Sequence, residues 1–260
     1  VTDPRVAFFS FIGSAGVGWS LRSKLAPGTR CALEHGGAAP VILNDASNLS
    51  SAVESITKGG FYHAGQVCVS VQRLYVHENI VTDFLNLFRE SAIKLNVGDP
   101  TLLETDVGPL IRPAEVTRVD SWVKEAIEQG AELICGGTTI GEQCYAPTIL
   151  LNPSADSAVS KKEIFGPVVC VYTYGSIDDA IERANALPFS FQAAVFTAEL
   201  ETAMHCYKYL NASAVMVNDH SAFRVDNMPF AGLKQSGLGV GGIQHTIHDM
   251  QIEKMLVLSM

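Results

Sequence analysis

The sequence predicts an α/β fold built on a mainly parallel β-sheet. Two observations favour this class. Short apolar runs rich in β-branched residues alternate with amphipathic runs, which is typical of mainly parallel α/β proteins. The chain has 260 residues, of which 47% are hydrophobic, and this supplies a substantial core for one large or two modest domains. We therefore expect two or three packed layers of sheet and helix.

The first part of the chain begins with a predicted strand over residues 6–12. The glycine-rich stretch 13–18 follows as a turn that enters a helix toward Leu25. A second helix is predicted over residues 50–64, because apolar side chains recur there at helical spacing. Its candidate inward positions are Ala52, Val53, Ile56 and Phe61. Residues 69–76 are rich in strand formers and predict the next strand.

The rest of the chain alternates in the same way. Two apolar stripes with helical spacing predict two core-facing helices. Their members are Ile80, Phe84, Leu87 and Phe88 in one, and Val116, Val119, Val123 and Ile127 in the other. Residues 98–109 form the longest irregular stretch. Strands are predicted over residues 168–174, 193–197 and 214–217, with a helix over 176–186 between the first two.

The formal charge of −9 argues against a nucleic-acid partner, because neutralising phosphates needs a basic face and no Lys/Arg cluster is present. The same charge disfavours anionic lipid surfaces. No apolar run reaches the roughly 20 residues of a membrane span. The six cysteines are scattered, with no Cys-x-x-Cys pair and no zinc-type spacing. We therefore expect no metal site and a reducing, cytoplasmic setting.

Cys68 is the cysteine whose position favours chemistry. It follows a break at Gly65, between the predicted helix 50–64 and the predicted strand 69–76. A junction loop can leave a thiolate accessible and stabilise it with backbone N–H groups or positive charge. The alternative is an inert core residue, since free cysteine is among the most buried residue types.

Four short segments, one of them ending in Cys68, follow one another along the chain. They are Glu34-His35-Gly36-Gly37, Gly65-Gln66-Val67-Cys68, Glu163-Ile164-Phe165-Gly166-Pro167 and Phe230-Ala231-Gly232-Leu233-Lys234-Gln235-Ser236-Gly237. Together they resemble the aldehyde dehydrogenase superfamily, and the resemblance runs from Phe11 nearly to the C-terminus. His35 stands where the family usually has Leu, and Ala231 where it usually has Gly. Neither departure removes a reacting group.

The resemblance implies an aldehyde-dehydrogenase-like α/β fold, with a mainly parallel sheet in the catalytic domain, helices on both its faces and a remnant of the dinucleotide-binding domain. Residues 1–36 would be the end of that coenzyme domain, residues 37–232 the catalytic domain, and residues 233–260 a return toward the coenzyme side. The family usually runs to nearly twice this length. A chain that opens at Val1 without Met is therefore expected to be a C-terminal portion or partial sequence, with natural truncation as the alternative.

The chemistry implied is oxidation of an aldehyde to a carboxylic acid through a covalent adduct and a thioester on Cys68. The backbone N–H of Cys68 is the local oxyanion donor; in the family a second donor, an asparagine, would lie before Val1. Glu34 is the predicted base that activates water, if partial burial raises its pKa. The alternative for Glu34 is a surface carboxylate. His35 is expected to be structural.

The resemblance also implies a cofactor, NAD or NADP, which the sequence does not distinguish. Glu163 would accept hydrogen bonds from ribose hydroxyls, and Phe165 would pack near the nicotinamide ring. Gly36 belongs to the same expected cofactor site. Gly13 and Ser14 would hold pyrophosphate oxygens at a helix N-terminus, with Ser14 as a cap or a direct ligand. Without the resemblance, residues 163–167 and residues 13–18 would each be interpreted as an ordinary turn.

The substrate is the least determined part of this interpretation. Arg224 could pair with an anionic substrate tail, but a surface ion pair with Asp226 is the favoured interpretation. Val67, beside the nucleophile, offers no charge. We therefore expect a small or medium aldehyde of unspecified polarity.

Two alternatives to a dehydrogenase stay open from the sequence: a cofactor-free thiol esterase and a non-catalytic interaction module. A homo-oligomer, dimer or tetramer, is implied by the family, in which a terminal strand pairs with a neighbouring subunit. Residues 256–258 are short, apolar and strand-like. Their alternative is a frayed or core-packed terminus.

Overall fold

Two β-sheets organise the chain in the computed structural model, which describes residues 1–260. The strands are β1 (Phe8–Ile12), β2 (Arg30–Glu34), β3 (Ala39–Leu43), β4 (Val71–His77), β5 (Glu132–Cys135), β6 (Thr139–Ile140), β7 (Cys144–Tyr145), β8 (Thr148–Leu151), β9 (Val168–Tyr174), β10 (Phe189–Ser190), β11 (Gln192–Phe196), β12 (Ala214–Val217), β13 (Leu233–Lys234) and β14 (Gly237–Leu238). The helices are α1 (Ala15–Arg22), α2 (Leu49–Phe61), α3 (Val81–Ile93), α4 (Pro113–Glu128), α5 (Ala158–Lys161), α6 (Ile177–Asn185), α7 (Leu200–Tyr209) and α8 (Ile243–Met250), with a 3₁₀ helix, η1, over Tyr62–Gly65.

The larger sheet has seven strands in the order β12-β11-β3-β4-β9-β8-β5. Neighbouring strands run parallel, except that β5 is antiparallel to β8 at one edge. Its central strands are almost continuously apolar and buried, as parallel strands covered on both faces must be. The predicted mainly parallel α/β fold is confirmed.

The smaller sheet has three strands in the order β1-β2-β14. β1 and β2 run parallel, whereas β14 is antiparallel to β2 and brings Gly237 opposite Glu34. Gly36 and Gly37 connect β2 directly to β3 of the larger sheet. The assignment of residues 1–36, 37–232 and 233–260 to separate domains stays a prediction.

One large hydrophobic cluster fills the space around the seven-stranded sheet. A second, small cluster of Val69, Phe191, Ala222 and Phe230 lies beside Cys68, which packs against it. Two residues predicted in the core are instead exposed, Leu87 at 38% and Ile127 at 36%. Each lies at the edge of its helical stripe, where the helix surface curves away from the sheet.

The strands predicted over 168–174 and 214–217 match β9 and β12 residue for residue. The helix predicted over 50–64 ends earlier, because α2 stops at Phe61. His63 and Ala64 then take left-handed backbone angles, φ 51° and 55°, which no α-helix accommodates.

Residues 251–260 form neither helix nor strand and are exposed, with Leu256 at 80%. The core-packed alternative for this segment is therefore wrong. Pairing of the segment with a neighbouring subunit stays a prediction. None of the helices is both long and apolar enough to cross a bilayer.

Candidate active site

A cavity of about 640 Å³ lies between the two sheets. Its lining residues are Ile12, Gly13, Ser14, Glu34, His35, Gly36, Gln66, Val67, Cys68, Ile111, Glu115, Arg118, Trp122, Glu163 and Phe165. All of the residues predicted for catalysis or cofactor binding are among them: Cys68, Glu34, Glu163, Phe165, Gly13, Ser14 and Gly36. The structure thus brings together side chains that lie far apart in the sequence.

The two sheets present opposite edges to this cavity. Gly13 follows β1 and Glu34 ends β2, so the carboxyl edge of the parallel pair forms one wall. Cys68 precedes β4, and Glu163 and Phe165 precede β9, so the amino edge of the larger sheet forms the opposite wall. The predicted base and the predicted nucleophile therefore belong to different sheets.

The turn that carries Cys68 is held by its neighbours. Gly65 has φ 69°, and a Cβ added there would overlap the carbonyl oxygen of Gly166. The Gln66 amide donates to the carbonyl of Pro109 at 3.2 Å and accepts from the Ile111 N–H at 2.9 Å. These contacts tie the turn to the irregular stretch before α4, which sequence analysis left without a role.

The Cys68 thiol is not stabilised as a thiolate in this form of the protein. Burial, followed by the negative charges of Glu163 and Glu34, raises its pKa to about 11. Its own backbone N–H and Arg224 oppose the shift without reversing it. Burial and the two carboxylates that line the same cavity thus outweigh the stabilisation of a thiolate that a junction loop can supply.

Glu34 lies at the end of β2, and burial raises the pKa of its carboxyl as the sequence predicts. Arg224 partly opposes that shift. The carboxylate lies directly against Gly241, where an added Cβ would overlap Oε1. The Glu34 carbonyl accepts from the Gly13 N–H at 3.1 Å, which joins the base to the predicted phosphate turn.

His35 is buried between β2 and α1, which fits its expected structural role. Its Nδ1 lies 2.9 Å from the carbonyl oxygen of Gly13. The ring packs against Phe11 and Trp19 and closely against Gly18. Leu, the usual residue of the family at this position, could not make the bond to Gly13.

Glu163 presents an unsatisfied acceptor. Its Oε1 is buried without a hydrogen-bond partner. Burial raises the pKa of the carboxyl to about 7, against the opposing effects of the Gly37 N–H and Arg118. Gly36 has no room for a side chain, because a Cβ there would overlap this carboxylate. An acceptor left open in this way fits a ligand hydroxyl.

Phe165 has φ 48°, a left-handed conformation that is uncommon for a bulky residue. Its side chain is 41% exposed although it lines the cavity. Residues held in such conformations cluster at ligand sites. With the open Glu163 oxygen, this free aromatic face fits the ribose and nicotinamide of a dinucleotide.

Ser14 precedes α1, but its side chain makes no capping hydrogen bond. Of its two predicted roles the cap is therefore wrong, and the direct ligand stays a prediction. Gly13 and Ser14 both face the cavity at the start of α1. The helix N-terminus thus adds unpaired backbone N–H groups to this wall.

Arg224 makes no ion pair with Asp226, so the favoured interpretation of this residue is wrong. Its guanidinium lies over the Phe230 ring, 4.1 Å from the centroid. It lowers the pKa of both Cys68 and Glu34. Stacking on the ring holds the guanidinium where its charge acts on Cys68 and Glu34.

Sequence reasoning missed Arg118 and Trp122 on α4 and Gln72 in β4. The Arg118 guanidinium lies 4.5 Å from the Trp122 ring centroid and donates to the Ile164 carbonyl at 2.7 Å. For Gln72 a signal existed: an amide among apolar strand formers must find partners when it is buried. The spacing of Arg118 and Trp122 on one helix face carried no such signal.

The chain is similar to known proteins in three respects: a family model, the amino-acid sequence and the fold. The model of the Aldehyde dehydrogenase family matches residues 1–256. The chain is 42% identical to 3-sulfolactaldehyde dehydrogenase of Priestia aryabhattai over 255 residues, covering 98% of this chain and 53% of that protein.

Two solved structures have a TM-score of 0.92 to this chain. Glyceraldehyde-3-phosphate dehydrogenase GapN from Methanocaldococcus jannaschii, complexed with NADP, is 37% identical; the match covers 96% of this chain and 54% of that one. Aldehyde dehydrogenase 21 from Physcomitrella patens, in complex with the reaction product succinate, is 34% identical; the match covers 95% of this chain and 51% of that one. The chain spans about half the length of the relatives it matches.

Proposed function

The chain belongs to the aldehyde dehydrogenase family, and on this premise we propose that the protein oxidises an aldehyde to a carboxylic acid with NAD or NADP. One observation carries the proposal: Cys68, Glu34, Glu163 and Phe165 line a single cavity. A nucleophile, a base and an open acceptor beside a free aromatic face are the groups that this reaction needs.

In the first step the Cys68 sulfur attacks the aldehyde carbon. Because a thiolate beside two carboxylates is disfavoured, the thiol proton passes to Glu34 as the carbon–sulfur bond forms. The net charge of the cavity then stays constant. The Cys68 backbone N–H donates to the developing oxyanion.

When bound, the nicotinamide supplies the hydride acceptor that turns the adduct on Cys68 into a thioester. Glu163 and Phe165 would hold the ribose and the nicotinamide, with Gly36 leaving room beside them. Gly13 and Ser14 would hold the pyrophosphate at the N-terminus of α1.

Release of the acid uses Glu34 again, after the proton that it took from Cys68 has passed to solvent. Its carboxylate takes a proton from water while the water oxygen attacks the thioester carbon. The carbon–sulfur bond breaks, and Glu34 returns this proton to the leaving sulfur. A carboxyl with a raised pKa suits this work, because it accepts a proton near neutral pH more readily than an exposed carboxylate.

We further propose that the aldehyde carries an anionic tail, which Arg224 binds. Arg224 acts on both reacting groups, and no carboxylate pairs with it. The relative that oxidises 3-sulfolactaldehyde and the structure with bound succinate both have anionic ligands, which supports this substrate class.

The test measures NADH and NADPH formation by the protein in its full natural length. Short aldehydes with a sulfonate or carboxylate tail are compared with neutral aldehydes of equal length. We expect Cys68→Ala to abolish turnover. Arg224→Gln should raise KM for the anionic aldehydes roughly 10- to 100-fold more than for the neutral ones. The neutral aldehydes report the part of the effect that comes from removing the charge acting on Cys68 and Glu34. Arg5→Gln, at an exposed N-terminal site, is the control.

Four outcomes would contradict these proposals. Turnover in Cys68→Ala would remove the nucleophile from Cys68. Equal effects of Arg224→Gln on both substrate sets would remove the anion site. Ester hydrolysis that depends on Cys68, with no cofactor-dependent turnover, would favour the thiol esterase; absence of both activities would favour an interaction module.

The protein is also proposed to act as a homo-oligomer, dimer or tetramer, in the cytoplasm. The exposed apolar run 255–258 supports the oligomer, since adding this run to a sheet edge of a neighbouring copy would bury it. The six free cysteines support a reducing compartment.

A further inference from the structure

Gln72 lies within β4 and is 5% exposed. Its Nε2 donates to the carbonyls of Val159, at 3.0 Å, and Lys162, at 2.7 Å. Its Oε1 accepts from the Ile164 N–H at 2.8 Å. Both amide hydrogens and the amide oxygen are thus used, and all three partners are backbone groups of α5 or of the segment between α5 and β9.

Lys162 and Ile164 are the two residues that flank Glu163. The backbone from Lys162 to the start of β9 belongs to no helix or strand, so no ladder of hydrogen bonds fixes it. Besides Gln72, the Arg118 side chain binds this segment, at the Ile164 carbonyl. The Glu163 carboxylate itself leaves Oε1 unpartnered. Its position in the cavity therefore depends on side chains that hold its neighbours.

We propose that Gln72 is a positioning residue for Glu163 and, two residues on, for Phe165. This inference rests on the proposed function, in which Glu163 accepts the ribose hydroxyls of the cofactor. Loss of the amide would remove the Gln72 partner from two carbonyls and from the buried Ile164 N–H. The Val159 carbonyl would keep only the bond from the Cys170 thiol at 3.9 Å. The segment would then shift toward other partners, and a displacement of about 1 Å is enough to impair a site of this kind.

Gln192 provides a matched comparison. It lies in β11 of the same sheet and is 0% exposed, yet neither its Nε2 nor its Oε1 has a hydrogen-bond partner. Both glutamines are buried amides in parallel strands, and Gln72 alone of the two binds the segment that carries Glu163. Replacing each by Met keeps side-chain volume and removes the amide.

The experiment compares Gln72→Met, Gln72→Glu and Gln192→Met with wild type in the full natural length. It measures the Kd of NAD and NADP by calorimetry, Cys68-dependent ester hydrolysis without cofactor, and thermal unfolding. We expect Gln72→Met to weaken cofactor binding roughly 10- to 100-fold. Ester hydrolysis should stay within about twofold of wild type, because the Cys68 turn is held separately by Gln66. Gln192→Met should bind cofactor as wild type does.

Gln72→Glu keeps the shape and the acceptor oxygens but donates only when it is protonated. Its cofactor affinity relative to wild type should therefore improve as the pH is lowered, which a general loss of stability would not produce. This variant also serves if Gln72→Met does not fold.

Unchanged cofactor affinity in folded Gln72→Met would overturn the inference but not the proposed function. A ratio of cofactor Kd between Gln72→Glu and wild type that does not change with pH would do the same. Equal losses of cofactor affinity in Gln72→Met and Gln192→Met would also overturn it. Failure of wild type to bind either cofactor would overturn the proposed function, and the inference with it.

Discussion

Cys68 shares its cavity with Glu34 and Glu163, and the charges of both carboxylates act against its thiolate. The sequence could suggest the nucleophile from its place at an element junction. It could not show the electrostatics, because the two carboxylates lie in distant segments that only the fold brings together.

Glu163→Gln should therefore make Cys68 more reactive. Removing a nearby negative charge lowers the pKa of the thiol and increases its thiolate fraction. Because the pKa of Glu163 is about 7, the variant and wild type should differ little at pH 5.5 and diverge above pH 7. We expect roughly 3- to 10-fold faster alkylation by iodoacetamide at pH 9, measured by mass mapping.

Glu132→Gln on β5 is the control for that measurement, since Glu132 is exposed and is not among the charges acting on Cys68. Identical pH profiles for Glu163→Gln and wild type would contradict the assigned coupling.

At the scale of the elements, prediction succeeded where the signal was local. The β-branched runs that form β9 and β12 lie between polar or turn residues and are recognisable without their neighbours. β14 is two residues long and exists because it pairs with β2. Nothing in its own residues predicts a strand. The end of α2 was also missed, since His63 and Ala64 take left-handed angles although neither is glycine, the residue type that most favours them.

The turn before β4 should be sensitive to a single methyl group. Gly65→Ala combines a left-handed backbone, costing about 1–2 kcal/mol, with overlap against the Gly166 backbone, costing about 1–3 kcal/mol. We expect the free energy of unfolding, from urea denaturation, to fall by about 2–5 kcal/mol. Cys68-dependent ester hydrolysis should fall as well, because the turn carries the nucleophile.

Gly130→Ala separates the two causes. Gly130 also has a positive φ, 102°, but an added Cβ there would meet no atom within 4 Å. Gly130→Ala should lower the free energy of unfolding by about 1–2 kcal/mol, the cost of the left-handed backbone, and should leave ester hydrolysis unchanged. Equal losses of stability and hydrolysis in the two variants would show that the Gly166 contact contributes nothing.

At the scale of the whole molecule, the four sequence segments predicted a shared site, and the fold explains why their residues line one cavity. The carboxyl edge of one sheet faces the amino edge of the other, so residues that follow β1 and β2 meet residues that precede β4 and β9. Composition and periodicity indicated parallel strands but not how two sheets would oppose each other. That arrangement depends on the crossing at Gly36 and Gly37 and on the return of the chain to β14.

Association between copies should depend on the exposed end of the chain. Leu256→Glu places a charge in the exposed apolar run 255–258 and should shift the protein to a smaller species in sedimentation velocity, since this run is proposed to pair with a neighbouring copy. Leu103→Glu is the control, since Leu103 is fully exposed in a loop. An unchanged sedimentation coefficient for Leu256→Glu would contradict the proposed interface.

The pairing of β14 with β2 has a consequence for the order of events during synthesis. Gly237 lies opposite Glu34, about 200 residues away along the chain. Contacts between residues so far apart in the chain form late, because the entropy cost of closing a long loop must be met before the contacts contribute stability. A chain emerging from the ribosome therefore builds the sheet that carries the nucleophile before the strand that carries the base gains its last partner. The wall of the cavity that holds Glu34 therefore stays incomplete until Gly237 has been made.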